Sequence, residues 1–443
     1  MKSKRKIPKV PFFRIAKNVV FLNQNPFMFL HENFVDLGNS FSINVWPFGE
    51  AIFSRSADFT EYVLQKNQKN YNKGKLQTVD LVRYVGRGLF TSEAEHWRKQ
   101  RKLIQPAFHK KQLSNLLESI KEAILLEYAK IEDDKTIDIF PILNDLAFQT
   151  VVKSLFSGAA SIEQIKRLQY NTETIQQGFL KELRQPHMRW WFKINGFTDK
   201  HLKLAEDFRS ILKEIVNERR ASKVKYNDLL DMLIEAKYED GSTMDEEQLI
   251  DEILIIFIAG HETTSNTLTF TLELLALHPE WQERIYEEIK SNEDKHDDLM
   301  GLVMSSKLCQ QVIEESLRLY PPAYIIGRSN INNDTFDAME FSANSTLIFS
   351  IYEIHRHPEL WKNPDDFMPE RFDEGGRQYS SHYFPFGAGP RKCIGNNFAM
   401  FEMIIAINEI IKRYKISSKK ESIETTPLLT LKPKNPFLTF KKR

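Results

Sequence analysis

The sequence predicts an α+β chain, mainly helical, in which the strands are few and short. Long stretches between Glu93 and Tyr320 repeat apolar residues at the helical period, whereas period-two alternation is confined to stretches near the two ends. No Pro/Gly/Ser-rich linker, low-complexity tract or internal repeat interrupts the 443 residues. Residues 1–443 therefore read as a single domain, with 1–20 as a leader.

Taken in order, Met1 to Lys9 is basic, and the residues that follow are broken by Pro8, Pro11, Arg14, Lys17 and Asn18. No apolar run there approaches a membrane span, so no transmembrane segment is expected; Phe12 and Phe13 leave contact with a membrane surface open. Ser40 to Phe53 alternates and carries a turn at Pro47, Phe48 and Gly49, the pattern of a hairpin. Helices are predicted over 97–107, 113–131, 162–183, 198–222, 246–277, 279–293 and 306–320. Strand signals return in Thr346 to Ile351 and in Leu428 to Lys432 with Phe437 to Phe440.

The 246–277 helix stands apart. Thr243 and Glu246 have capping-box spacing, and Ile250 and Ile253 to Ile258 make it apolar on every side, as in a helix crossing an interior. It then continues Ala259-Gly260-His261-Glu262-Thr263-Thr264. An acid and hydroxyls in buried surroundings are costly unless they have a purpose, and Gly260 is expected to let the helix widen. His261-Glu262 begins a zinc-helix pattern, but Ser265 stands where its second histidine belongs.

The bulk composition excludes several classes. With 42% hydrophobic and 27% charged residues, the chain buries a core without disulfides or a structural metal. The net charge of +1 argues against nucleic acid as a partner. Two cysteines, Cys309 and Cys393, make no disulfide framework and suit a reducing compartment, so a soluble, cytoplasmic protein is expected.

Cys393 sits in Phe386-Gly387-Ala388-Gly389-Pro390-Arg391-Lys392-Cys393-Ile394-Gly395. Glycines such as Gly389 and Gly395 let a chain wrap closely round a sulfur, and a thiolate on haem iron pushes electron density toward oxygen. Cys393 alone fits a buried structural cysteine equally well; the ten-residue pattern does not.

That pattern resembles the cysteine loop of the cytochrome P-450 superfamily at Phe386, Gly389, Arg391, Cys393 and Gly395. Glu315-Ser316-Leu317-Arg318 is similar to its Glu-x-x-Arg motif, with Arg371 of Pro369-Glu370-Arg371-Phe372 as third member of a structural ion network. Ala259 to Thr264 resembles its oxygen-activation motif, and Trp97 and Arg101 its Trp-x-x-x-Arg. The resemblance implies the P-450 fold, with a long central helix and a small β region. It implies haem b (iron protoporphyrin IX) with Cys393 as axial ligand and Trp97, Arg101, Ala259, Arg328, Pro385, Phe386, Arg391 and Gly395 about the haem. Glu262 and Thr263 would be the catalytic pair that delivers protons to dioxygen. A small organic substrate, O2 and electrons from a ferredoxin or flavodoxin with its NAD(P)H-dependent reductase are implied, because no reductase is fused after Cys393. The basic face formed by Arg98, Lys99, Lys102, His109, Lys110 and Lys111 is either solvated or a docking site for an acidic electron carrier.

Carried over by position, the substrate pocket draws on Leu81, Tyr84, Val85, Phe90, Phe257, Ala323, Tyr324, Ile325 and Leu428. His187 to Phe192 falls where the family places a lid. Arg83, Arg87, Arg184 and Arg189 near that mouth suit an oxygen-rich or anionic substrate. Leu319-Tyr320-Pro321-Pro322-Ala323 is similar to soluble bacterial carotenoid and fatty-acid hydroxylases. Richness in Lys, Asn, Ile and Phe suggests an AT-rich bacterium, in which O-demethylation of a methylated sugar is the rival to lipid or terpenoid hydroxylation. A peroxide-driven peroxygenase and a non-catalytic haem sensor or carrier are alternatives for which Glu262 and Thr263 are unnecessary.

Overall fold

In the computed structural model, which describes residues 6–15, 17, 25–45, 49–222, 224–373 and 376–443, the longest helix runs Glu246–Leu277. Its cap is Asp245, whose carboxylate accepts the Gln248 N–H at 2.8 Å, two residues beyond the expected Thr243. Thr243 is held instead in an antiparallel bridge with Lys237. Glu246 and Glu247 in the first turn face the positive end of the helix dipole. The helix stops at His278, before Pro279 opens the next.

The helix is also less apolar than expected. Asp251 and Glu252 lie in its first half and are both buried. It remains α-helical through Gly260 without widening. There the Thr263 and Thr264 hydroxyls donate to the Ala259 and Gly260 carbonyls, each at 2.9 Å, giving those oxygens a second donor.

The chain folds into two compact units, each built from separate stretches. One comprises Met1–Thr78, Glu315–Cys393 and Thr425–Lys432. Its five-stranded sheet has the order Ser40–Val45, Gly49–Ser54, Thr346–Ser350, Ile325–Asn330, Tyr71–Lys73. Phe41 faces Phe53 across the hairpin, Ile52 pairs in parallel with Leu347, and Ile325 pairs antiparallel with Ser350. Pro47 and Phe48 of the expected turn lie outside the described residues. Phe59, Phe341 and Phe349 pack as the centre of this unit's core.

The other unit, Val79–Glu314, Ile394–Glu424 and Pro433–Arg443, holds most of the helices. Two of its long helices were not apparent from sequence. Phe140–Phe156 packs between Glu246–Leu277 and Leu117–Tyr128 and is buried over so much of its surface that no amphipathic stripe is visible. Asn396–Arg413 contains Ile404, Ile405, Ile407, Ile410 and Ile411, β-branched residues that burial holds in a helix against their preference. Among the described residues, no helix is long and apolar enough to cross a membrane.

Candidate active site

The loop ending at Cys393 is built by backbone hydrogen bonds. The Gly387 N–H donates to the Phe384 carbonyl at 3.0 Å, and the Cys393 N–H to the Phe386 carbonyl at 2.9 Å. Between them, Gly389–Arg391 makes a 3₁₀ turn. Gly389 has φ +69°, and a Cβ there would stand 2.0 Å from the Leu64 carbonyl oxygen, so no side chain is tolerated. Gly395, expected to play the same part, has φ −86° and room beside it; a Cβ would meet only Phe108, at 4.0 Å. The Cys393 residue is exposed, while Pro385 and Phe386 are half-buried. Arg391 donates to the Tyr71 carbonyl at 2.6 Å, and Arg328, buried in the Ile325–Asn330 strand, donates to the Gly327 carbonyl at 2.8 Å.

The ion network lies in the same unit. Glu315 and Arg318 are fully buried and paired through two hydrogen bonds, 2.7 and 2.8 Å. Arg371 reaches Glu315 at 3.3 Å, and the Met368 N–H donates to the same carboxylate at 2.9 Å. Arg318 also donates to the carbonyls of His355, Pro364 and Asp366. A buried guanidinium is stable only when its charge and donors are answered in this way.

In the helical unit, Ile256, Ala259, Gly260 and Thr263 form a partly open stripe at i, i+3, i+4 and i+7. Glu262, one position round the helix from Thr263, is buried, as is His261, whose ring meets Phe148 edge-on. Gly260 lies against Phe140–Phe156, where a Cβ would come 3.0 Å from Val151. Trp97 is buried on Ala94–Ile104, and Arg101, half-buried, donates to Gln105 at 3.2 Å. The basic face is partly neutralised, since Lys99 pairs with Glu95 and Lys102 contacts Glu239.

Several expected pocket residues have other surroundings. Phe257 packs among Phe148, Phe156 and Phe208 in the core, away from the open stripe. Tyr84 is buried edge-on to Phe179 with the Arg83 guanidinium over its ring; burial and the Glu182 carboxylate raise its pKa. Tyr324 turns inward and donates its hydroxyl to the Leu428 carbonyl at 2.8 Å, leaving Ala323 and Ile325 on either side exposed. Leu81 and Val85 are buried, Leu428 is half-buried and Phe90 is exposed.

Of the four arginines expected to meet an anionic substrate, Arg83 and Arg189 have carboxylate partners. Arg83 lies 2.9 Å from Glu182, and Arg189 lies 3.1 Å from Asp80. On the short helix Arg189–Ile194, Phe192 packs inward while Trp190 and Trp191 are exposed.

Sequence reasoning also passed over Asp251 and Glu252. They accept the Arg87 N–H at 2.6 Å and the Leu89 N–H at 2.8 Å, pinning the loop that leads to Phe90. The available signal was two acids inside an apolar helix.

Comparison with known proteins places these motifs in one family. The Cytochrome P450 family model matches residues 6–440, and the chain belongs to that family. It is accordingly a cytochrome P450 monooxygenase with haem as its cofactor. It is 28% identical over 364 residues to pentalenene oxygenase of Streptomyces avermitilis, covering 80% of each chain. It is 31% identical over 399 residues to cytochrome P450 CYP72A219 of Panax ginseng, covering 82% of this chain and 75% of that one. A crystal structure of the cytochrome P450DA heme domain shares the fold, with a TM-score of 0.88 at 21% identity over 100% of this chain and 98% of that chain. The chain's residues suit the cofactor: Cys393 is an exposed sulfur donor at the end of its loop, and the interior helix opens at Ala259 and Thr263.

Proposed function

We propose that this monooxygenase hydroxylates a C–H bond of an apolar, terpenoid- or lipid-like substrate, with Cys393 as the haem ligand and Glu262 and Thr263 as its proton-delivering pair. Bound haem supplies the activation of dioxygen, one atom entering the substrate and the other leaving as water with two electrons and two protons. The Cys393 sulfur binds as thiolate. By resemblance to the family, Trp97, Arg101, Arg328 and Arg391 would hold the propionates. The Thr263 hydroxyl, on the open stripe, would leave the Ala259 carbonyl to donate its proton, and Glu262, one position round the helix, would replenish it. A ferredoxin or flavodoxin with its reductase supplies the electrons.

The observation that carries the substrate reading is the pairing of Arg83 with Glu182 and of Arg189 with Asp80, which withdraws two cations from an anionic or sugar-like ligand. The exposed or half-buried pocket candidates are apolar: Phe90, Ala323, Ile325 and Leu428. Two relatives, pentalenene oxygenase and cyclooctat-9-en-7-ol 5-monooxygenase of Streptomyces melanosporofaciens, carry names that fit such a substrate.

The test begins with the reduced, carbon-monoxide-treated holoenzyme. A Soret band near 450 nm supports thiolate ligation, and one near 420 nm in native protein removes Cys393 from its role. Terpene alcohols, fatty acids and methylated sugars are then screened for a spin-state shift. Turnover of a methylated sugar with release of formaldehyde would replace hydroxylation by O-demethylation.

A further inference from the structure

Resting on the ligand reading above and extending it, we propose that His355 is a positioning residue for the Cys393 loop, transmitting the placement of Arg318 to that loop through one fixed imidazole tautomer. His355 is fully buried. The Phe384 N–H donates to its Nε2 at 2.9 Å. A backbone amide only donates, so Nε2 is bare and the ring proton sits on Nδ1. Nδ1 then donates to the Arg318 carbonyl at 3.2 Å, while the Arg318 guanidinium returns a hydrogen bond to the His355 carbonyl at 2.8 Å. Arg318 is thereby joined to Phe384 through one ring.

From Phe384 the chain of bonds continues into the loop. Its carbonyl takes the Gly387 N–H, and the Phe386 carbonyl takes the Cys393 N–H. The ring is confined by Tyr383 and Trp361, with centroids at 5.3 and 6.2 Å, so it does not rotate to exchange its partners. Burial and the neighbouring Arg318 charge push the His355 pKa well below its ordinary value and keep it neutral. An apolar side chain of similar volume would fill the space but strand two buried groups, the Phe384 N–H and the Arg318 carbonyl.

Three substitutions separate the two hydrogen bonds. His355→Gln places an amide oxygen at the reach of Nε2, His355→Asn places its amide only at the reach of Nδ1, and His355→Leu provides neither. Hydrogen exchange of the holoenzymes should show the Phe384, Gly387 and Cys393 amides opening on the order of tenfold faster in the Asn and Leu variants. The Gln variant should stay close to wild type. In the same two variants the reduced carbon-monoxide band should move from near 450 nm toward 420 nm. Equal exchange in all three, or loss of protection in the Gln variant, overturns the proposal.

Should the Asn or Leu variant fail to fold, nitrogen NMR of the wild-type reduced, carbon-monoxide-bound protein decides. A proton on Nδ1 supports the link, and a proton on Nε2 removes it. A wild-type band near 420 nm strikes the ligand assignment instead and leaves the exchange result on His355 standing.

Discussion

The Arg87 backbone N–H points into the Asp251 carboxylate at 2.6 Å, and Gly86 beside it, at φ +72°, leaves no room for a Cβ. A methyl group at that glycine would lie 2.0 Å from Asp251 Oδ1, the same oxygen that contacts Arg209. Gly86→Ala should therefore cost about 1–3 kcal/mol of stability, through backbone strain and displacement of the carboxylate. Denaturant midpoints of the holoenzyme would record it. Hydrogen exchange should rise across residues 86–92 in the same variant.

Arg318→Lys should be more severe. Lysine keeps the charge but not the two-pronged pairing with Glu315, and the His355, Pro364 and Asp366 carbonyls lose their shared donor. A loss of about 3–5 kcal/mol is expected, together with poor haem retention, measured as haem content per folded protein.

Thr263→Ala should leave haem content and the reduced carbon-monoxide spectrum intact. Removing one hydrogen-bonding hydroxyl, worth about 1–1.5 kcal/mol, should lower product formed per dioxygen consumed by about tenfold, with peroxide making up the difference. Unchanged coupling would remove Thr263 from the proton path.

Glu273 predicts the pH dependence of stability. It is buried on the long helix, no described residue hydrogen-bonds its Oε2, and burial raises its pKa to about 7 despite nearby Lys420, with Glu424 and Asp138 adding to the rise. The folded value lies above the unfolded one of 4.5, so the neutral acid favours the fold. That contribution is complete below the unfolded value and is lost as pH rises through about 7, at most about 3 kcal/mol. Urea midpoints should fall from about pH 5 to about pH 8. Glu273→Gln should flatten that slope.

The Glu315–Arg318 pairing was legible in the sequence because it depends on short-range spacing. Glu315 with Arg318 and Trp97 with Arg101 each lie about one helical turn apart, the run from Phe386 to Gly395 is contiguous, and the bounds of Glu246–Leu277 follow directly from periodicity. What remained hidden depends on contacts between distant segments. Phe257 has the composition of a pocket residue, and only the packing of Phe148, Phe156 and Phe208 turns it into core. Arg83 and Arg189 look like cations awaiting a ligand until Glu182 and Asp80 meet them. Asn396–Arg413 carries enough isoleucine to hide a helix, and His355 gives no local sign of its link to Phe384.

The split of each unit into separate stretches bears on synthesis of the protein. Gly49–Ser54 pairs with Thr346–Ser350, yet nearly three hundred residues emerge from the ribosome between them. At roughly 5–20 residues per second, the nascent hairpin keeps a bare edge for tens of seconds, long enough to recruit a neighbouring chain. A chaperone that shields extended segments should raise the soluble yield.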